Sequence, residues 1–185
     1  MTGLIILAII VAVVGYAIFL YNDLVKKRQL VEEGWSGIDV QLKRRTDLIP
    51  NLLETVKGYM GHERETLEAV TNARAAATAG ANAGPEERAK LEGALSGALG
   101  RLLAIAEAYP DLKANTTFLE FQQALQTVED ELQLSRRYYN GATRDMNTAV
   151  ESFPSNVIAN TFKFEKAEYF ELESEADRAV PSVKF

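Results

Sequence analysis

The chain reads as an all-α membrane protein: an N-terminal transmembrane helix continuing into an antiparallel, coiled-coil-like bundle of three long helices, with a short helix near the C-terminus. Three observations predict this. Residues 1–22 contain no charged side chain, and the stretch from Gly3 to Tyr21 is almost wholly apolar, long enough as a helix to cross roughly 30 Å of hydrocarbon. Beyond Asp23 the apolar residues recur three and four apart, and the alternation of a β-strand never develops. Pro85, Pro110 and Pro154 fall where that pattern begins or stops.

Residues 1–22 are read as an uncleaved anchor and 23–185 as one helical domain. A cleaved signal peptide fits poorly: there is no charged n-region, the apolar run is too long, and no small-residue cleavage site separates Phe19 from Lys26. Lys26, Lys27 and Arg28 follow the span at once, whereas only the α-amino group precedes it. The positive-inside bias then puts the N-terminus outside a bacterial inner membrane and the domain in the cytoplasm, with these three residues as candidate contacts for anionic lipid.

Helix one is expected over Asn22–Thr78. Its seam runs Leu24, Val31, Trp35, Ile38, Leu42, Ile49, Leu52, Val56, Tyr59 and Val70, interrupted by Arg28, Arg45, Glu63 and Thr66. Pro50 is expected to kink this helix without necessarily ending it, and the alanine-rich stretch 73–83 to fray into a loop. Helix two starts at Pro85, with Glu86 and Glu87 suiting its positive end, and carries Leu91, Leu95, Ala98, Leu102, Ile105 and Tyr109. Helix three starts near Asn115 or Thr116 and carries Phe118, Phe121, Leu125, Val128, Leu132, Tyr139, Ala142, Met146, Ala149 and Phe153, with Ser135 polar in the seam. A short helix is expected near 165–179.

Composition excludes much chemistry. Without cysteine there is no disulfide, thiol nucleophile or Cys-ligated metal, and His62, the one histidine, lacks the partners a zinc site or a serine relay needs. Gly93, Gly97 and Gly100 lack the lysine of a phosphate loop and read as small residues for close helix approach. The acidic residues Glu32/Glu33, Glu86/Glu87 and Glu129–Glu131 read as surface, so neither enzyme nor cofactor is expected. Residues 23–60 carry a net charge of +1 and residues 61–185 a net of −7. That polarity suits a domain standing on an anionic membrane and argues against nucleic acid.

Helix lengths add a further expectation. At 1.5 Å per residue helix one is roughly 85 Å long, helix two roughly 38 Å and helix three roughly 60 Å. Helix two, folding back from the far end, would reach only the level of residues 50–55 and leave Val31, Trp35, Ile38 and Leu42 without a partner from it. That seam, with Arg45 needing an acidic partner or a wet interface, is the candidate interface of a homo-oligomer; the C-terminal segment of the same chain is the other candidate cover.

The run from Tyr21 to Ala75 closely resembles the LemA family, most fully at Trp35, Ile38–Lys43, Arg45 and Asp47–Asn51, and FPSN with the closing PSVKF resembles that family's ending. Gln29 and Gly34 stand where asparagine and alanine are usual. The resemblance implies a bacterial protein with one N-terminal transmembrane helix, a cytoplasmic antiparallel helical domain and no established enzymatic activity. A relative of the family takes part in building magnetosome membranes, and the genes often neighbour a membrane-embedded metalloprotease. Two functions are therefore expected: a self-assembling scaffold that organises or shapes the membrane, or an adaptor in membrane-protein quality control acting with a membrane protease.

Overall fold

The computed structural model describes residues 1–171. Within them lie α1 (Thr2–Lys57), α2 (Arg64–Ala79), a 3-10 turn (Gly80–Asn82), α3 (Pro85–Ala106), α4 (Pro110–Lys113), α5 (Thr116–Glu151) and α6 (Ser155–Phe162). The contacts divide them into a unit of residues 1–38 and 135–169 and a unit of 39–134 with Phe170 and Glu171, so α1 and α5 each contribute to both.

In the unit built on residues 39–134, α2 returns against α1, α3 runs back parallel to it, and α5 runs antiparallel: Arg74 reaches Thr46, Arg88 reaches Asp39, and Asn115 reaches Tyr59. The core is Ile49, Leu52, Val56, Met60, Val70, Leu95, Leu102, Leu112 and Phe118, each at most 1% exposed. Pro85 opens α3 as expected, and Asn115 caps α5, its Oδ1 accepting from the Phe118 N–H at 3.0 Å.

The expected helix Asn22–Thr78 is corrected to two. α1 ends at Lys57 and the chain turns through Gly58–Glu63 before α2. Gly58 and Gly61 each weaken a helix by about 1 kcal/mol relative to alanine, and the hairpin gains the burial of Met60, Leu67 and Val70. Pro50, by contrast, lies inside an unbroken α1. Its missing N–H leaves the carbonyl of Thr46 without its helical donor, and Arg74 Nε of α2 donates to that oxygen at 3.0 Å.

In the unit built on residues 1–38 and 135–169, α5 runs antiparallel to α1, α6 lies beside the end of the apolar span, and residues 163–169 return along α5. Leu24, Met146, Ala149, Ala159 and Phe164 form its core, with Val31 packed against them. Asn147 clamps the returning strand, accepting from the Ala167 N–H at 2.8 Å and donating to its carbonyl at 3.0 Å. Tyr139 donates its hydroxyl to the Glu168 carbonyl at 2.7 Å. The short helix thus lies at 155–162, before the expected 165–179; residues 165–171 are not helical, and 172–179 lie outside the described residues.

Several seam assignments change. Phe153, expected in the core, is 82% exposed. Gly97 and Gly100 face open space, so they permit no close approach; Gly34 does, since a Cβ there would lie 3.0 Å from the Tyr139 Cα.

Candidate functional site

No three His, Cys, Asp or Glu side chains among the described residues could together hold a metal ion, and His62 is exposed in the turn before α2. Two places carry the functional argument instead: the apolar face around the span in one unit, and a buried charge centre in the other.

An 18-residue stretch of α1 near the N-terminus is strongly apolar, and no residue in it is fully buried, with Ala17 and Leu20 partly covered. Burying it in lipid removes a penalty that water would impose on every turn, and by length and composition this part of α1 can cross a membrane. Of the candidate lipid contacts, Lys27 lies 3.5 Å from Asp23, and Arg28 lies 4.0 Å from Glu32 with its guanidinium 5.3 Å over the Phe164 ring; Lys26 is exposed. Such one-turn surface pairs are weak and leave the cluster basic at the membrane end.

The seam proposed as an interface is covered by its own chain. In the anchor-bearing unit Val31 packs on the Leu24 core, Trp35 stacks at a tilt on Tyr139 with centroids 5.4 Å apart, and Ile38 is fully buried. In the other unit Leu42 is fully buried and Arg45 is 1% exposed. The expectation weighed helix two and the C-terminal segment as covers from the same chain, and did not weigh α5. The return of α5 supplies Tyr139 beside Trp35, and the returning segment, the other cover considered, is pinned to Tyr139 and Asn147.

Arg45 does have acidic partners, but they come from its own chain. Its Nη1 donates to Glu129 at 2.5 Å and to Ser96 Oγ at 2.8 Å, and its Nη2 is paired with Glu92. Glu92 also accepts from Arg88 Nε at 3.2 Å, and Arg88 Nη2 donates to Asp39 at 3.2 Å. Arg45, Arg88 and Glu92 are all nearly sealed from solvent, whereas Glu129 and Asp39 are half-exposed. Two guanidiniums and one carboxylate are therefore buried together, and the two outer, half-exposed carboxylates more than offset the remaining positive charge.

Sequence reading missed Glu92 and Arg88 because the seam of this helix was set on Leu91, Ala98 and Ile105 instead. The buried face of α3 is Arg88, Glu92, Leu95, Leu99, Leu102 and Ala106, offset from the expected Leu91, Ala98 and Ile105. The available signal was the spacing: 88, 92, 95, 99, 102 and 106 continue one four-three repeat. Likewise Glu129, taken as surface, reaches Arg45, and Glu131 pairs with Arg44 at 2.6 Å. Beside this centre a cavity of about 200 Å³ is lined by Asp39, Lys43, Thr46, Asp47, Arg74 and Arg88 among others. Some of its charges are matched within the wall, Lys43 with Asp47 at 3.5 Å along α1 and Arg88 of α3 with Asp39 of α1.

Comparison with known proteins finds relatives along most of the chain. The chain is 25% identical over 195 residues to magnetosome protein MamQ 2 of Paramagnetospirillum magneticum, covering 92% of this chain and 72% of that protein. It is 27% identical over 150 residues to protein LemA of Metamycoplasma hominis, covering 79% and 68%. It is 23% identical over 185 residues to magnetosome protein MamQ of Magnetospirillum gryphiswaldense, covering 87% and 68%. The LemA family model matches residues 34–185, beginning one residue before Trp35 and taking in the whole Arg45 centre, and the chain belongs to the LemA family.

Proposed function

We propose that this protein is a non-enzymatic scaffold, anchored by α1 in the bacterial inner membrane with its helical domain on the cytoplasmic side, that self-assembles to organise or shape that membrane. One observation carries the reading: α1 is a single helix whose first part is apolar surface open to lipid and whose remainder supplies core residues of the folded domain. An anchor built into a core helix transmits orientation to the domain, which a flexible linker would not. The similarity to magnetosome proteins supports a membrane role, and Lys26, Lys27 and Arg28 after the span support the orientation.

Self-association in this reading does not use Val31, Trp35, Ile38, Leu42 and Arg45, which their own chain covers. It falls to the span, where Ala8 and Ala12 form a small-xxx-small face. Full-length protein in phosphatidylglycerol-containing vesicles, imaged by electron cryotomography at rising protein-to-lipid ratios and weighed in intact form, tests the proposal. Ordered clusters or altered curvature are expected. Monomers scattered in unchanged vesicles at every ratio would refute it, and a tightly co-purifying protease without self-association would replace the scaffold with an adaptor.

A further inference from the structure

The segment from Ser152 to Phe162, the tip joining α5 to α6, contains no charged residue yet leaves large apolar side chains in the open: Phe153 is 82% exposed, Val157 54% and Phe162 58%. In water such a cluster is a liability. Its other face is committed, with Ala159 fully buried and Ile158 packed against the Leu24 and Met146 core, so the exposed groups cannot turn inward. The segment is also continuous with the anchor: Ile158 and Phe162 form an apolar groove with Val14, Ala17, Ile18 and Tyr21, and the Phe162 ring meets Tyr21 edge-on at 4.8 Å between centroids.

We infer that the 152–162 tip is a second membrane contact, a short helix lying in the domain-side leaflet at the boundary of headgroups and acyl chains. Depth decides the occupant. Residues 14 to 21 cover about 10 Å of helix, and all lie inside a stretch whose length, roughly 28 Å, matches the hydrocarbon core. A segment touching Val14 therefore sits beside lipid whenever the anchor is inserted, and about 5–10 Å of penetration is where interfacial helices rest. Several of the tip's polar groups are already bonded within it, which lowers the cost of placing them in lipid. Ser152 N–H donates to the Thr148 carbonyl at 2.9 Å, Asn156 N–H to Ser152 at 2.8 Å and Val157 N–H to Pro154 at 3.2 Å, while the Ser155 hydroxyl lies 2.6 Å from the Ala149 carbonyl oxygen. Pro154 has no N–H to satisfy. At the edge of this surface the exposed Lys26 and Lys163 are placed to meet lipid phosphates.

The inference rests on the anchor reading above, and the test separates the two. The chain has no cysteine, so F153C, V157C, Y16C and Q133C each give one labelling site for an environment-sensitive fluorophore in the otherwise natural full-length protein. The variants are reconstituted in phosphatidylcholine–phosphatidylglycerol vesicles, checked for helical content, and quenched with lipids spin-labelled near the headgroup or with aqueous iodide. Lipid quenching at 153 and 157 should come within about twofold of that at position 16 in the span, with iodide excluded, while position 133 behaves oppositely. Iodide quenching at 153 and 157 equal to that at 133, with position 16 still lipid-quenched, overturns the inference and leaves the anchor standing. Loss of lipid quenching at position 16 overturns both. Shielding of 153 from iodide without lipid quenching, fading as protein is diluted in lipid, would assign the tip to a second copy of the chain and also overturn it.

Discussion

Replacing Glu92 with leucine leaves two buried guanidiniums without the carboxylate that lies between them. Arg45 is 1% exposed and Arg88 4%, and after the change each retains one carboxylate, Glu129 at 39% or Asp39 at 52% exposure. Half-exposed partners in a high local dielectric recover only part of the desolvation cost, so E92L should destabilise the unit by about 3–5 kcal/mol, the range for breaking a buried pair on one side. R45M should cost less, about 2–3 kcal/mol, because Glu92 keeps Arg88 through Oε1 and Glu129 can swing into water. The sign then reverses. The triple variant R45M/R88M/E92L removes every fully buried charge and fills the space with side chains of similar length, which should return stability to within about 1 kcal/mol of the natural chain or above it. Pulse proteolysis across a urea series in mild detergent, with hydrogen exchange of residues 85–106 as a local readout, measures all three. If E92L lies within about 1 kcal/mol of the natural protein, or the triple variant is no more stable than E92L, the description of this centre as a desolvated ion cluster is wrong.

Other outcomes follow from single contacts. R74M should cost about 1–2 kcal/mol in the natural chain, where the guanidinium serves the carbonyl that Pro50 leaves open, and clearly less in a P50A background where the helix supplies its own donor; a double-mutant cycle by the same denaturation assay reads the difference. Trp35→Ala should destabilise the unit built on residues 1–38 and 135–169 by about 2 kcal/mol without changing the mass of the intact detergent-solubilised particle, since Trp35 packs on Tyr139 of its own chain; a drop in mass would restore the interface reading. Burial holds the Tyr139 phenol above its usual value, outweighing the opposing influence of the neighbouring Thr143 hydroxyl, and the nearby Glu168 charge adds to the upward shift. The unfolded chain therefore loses this proton first. The contribution should be complete below the ordinary tyrosine value of about 10 and decline as pH rises from there through the folded-state value, and Y139F should flatten that limb of the stability profile. Protease added to intact spheroplasts should leave the domain uncut, and cleavage without lysis would reverse the orientation.

How much of this could be read without coordinates depends on the range of the interaction concerned. The anchor, the helical class, the start of α3 at Pro85 and the Asn115 cap are local: each depends on a run of apolar residues, a repeat spacing or a side chain bonding its own backbone three residues on. They were legible for that reason, and so was the cost of placing Arg45 in the seam, although the sequence left an acidic partner and a wet interface both open. Local signals also misled. Spacing kept helix one unbroken through Gly58 and Gly61, where the hairpin's burial of Met60 and Val70 outweighs helical continuity, and it placed Phe153 in a core that has already turned away into α6. The choice of partner was beyond the sequence altogether. Glu92 and Glu129 lie 47 and 84 residues from Arg45, and Tyr139 lies 104 from Trp35. The seam alone says only that those side chains must be covered. Whether α5 of the same chain or the helix of a neighbour covers them is decided by where the turns send the chain, and that direction is a property of packing between distant segments rather than of any one of them.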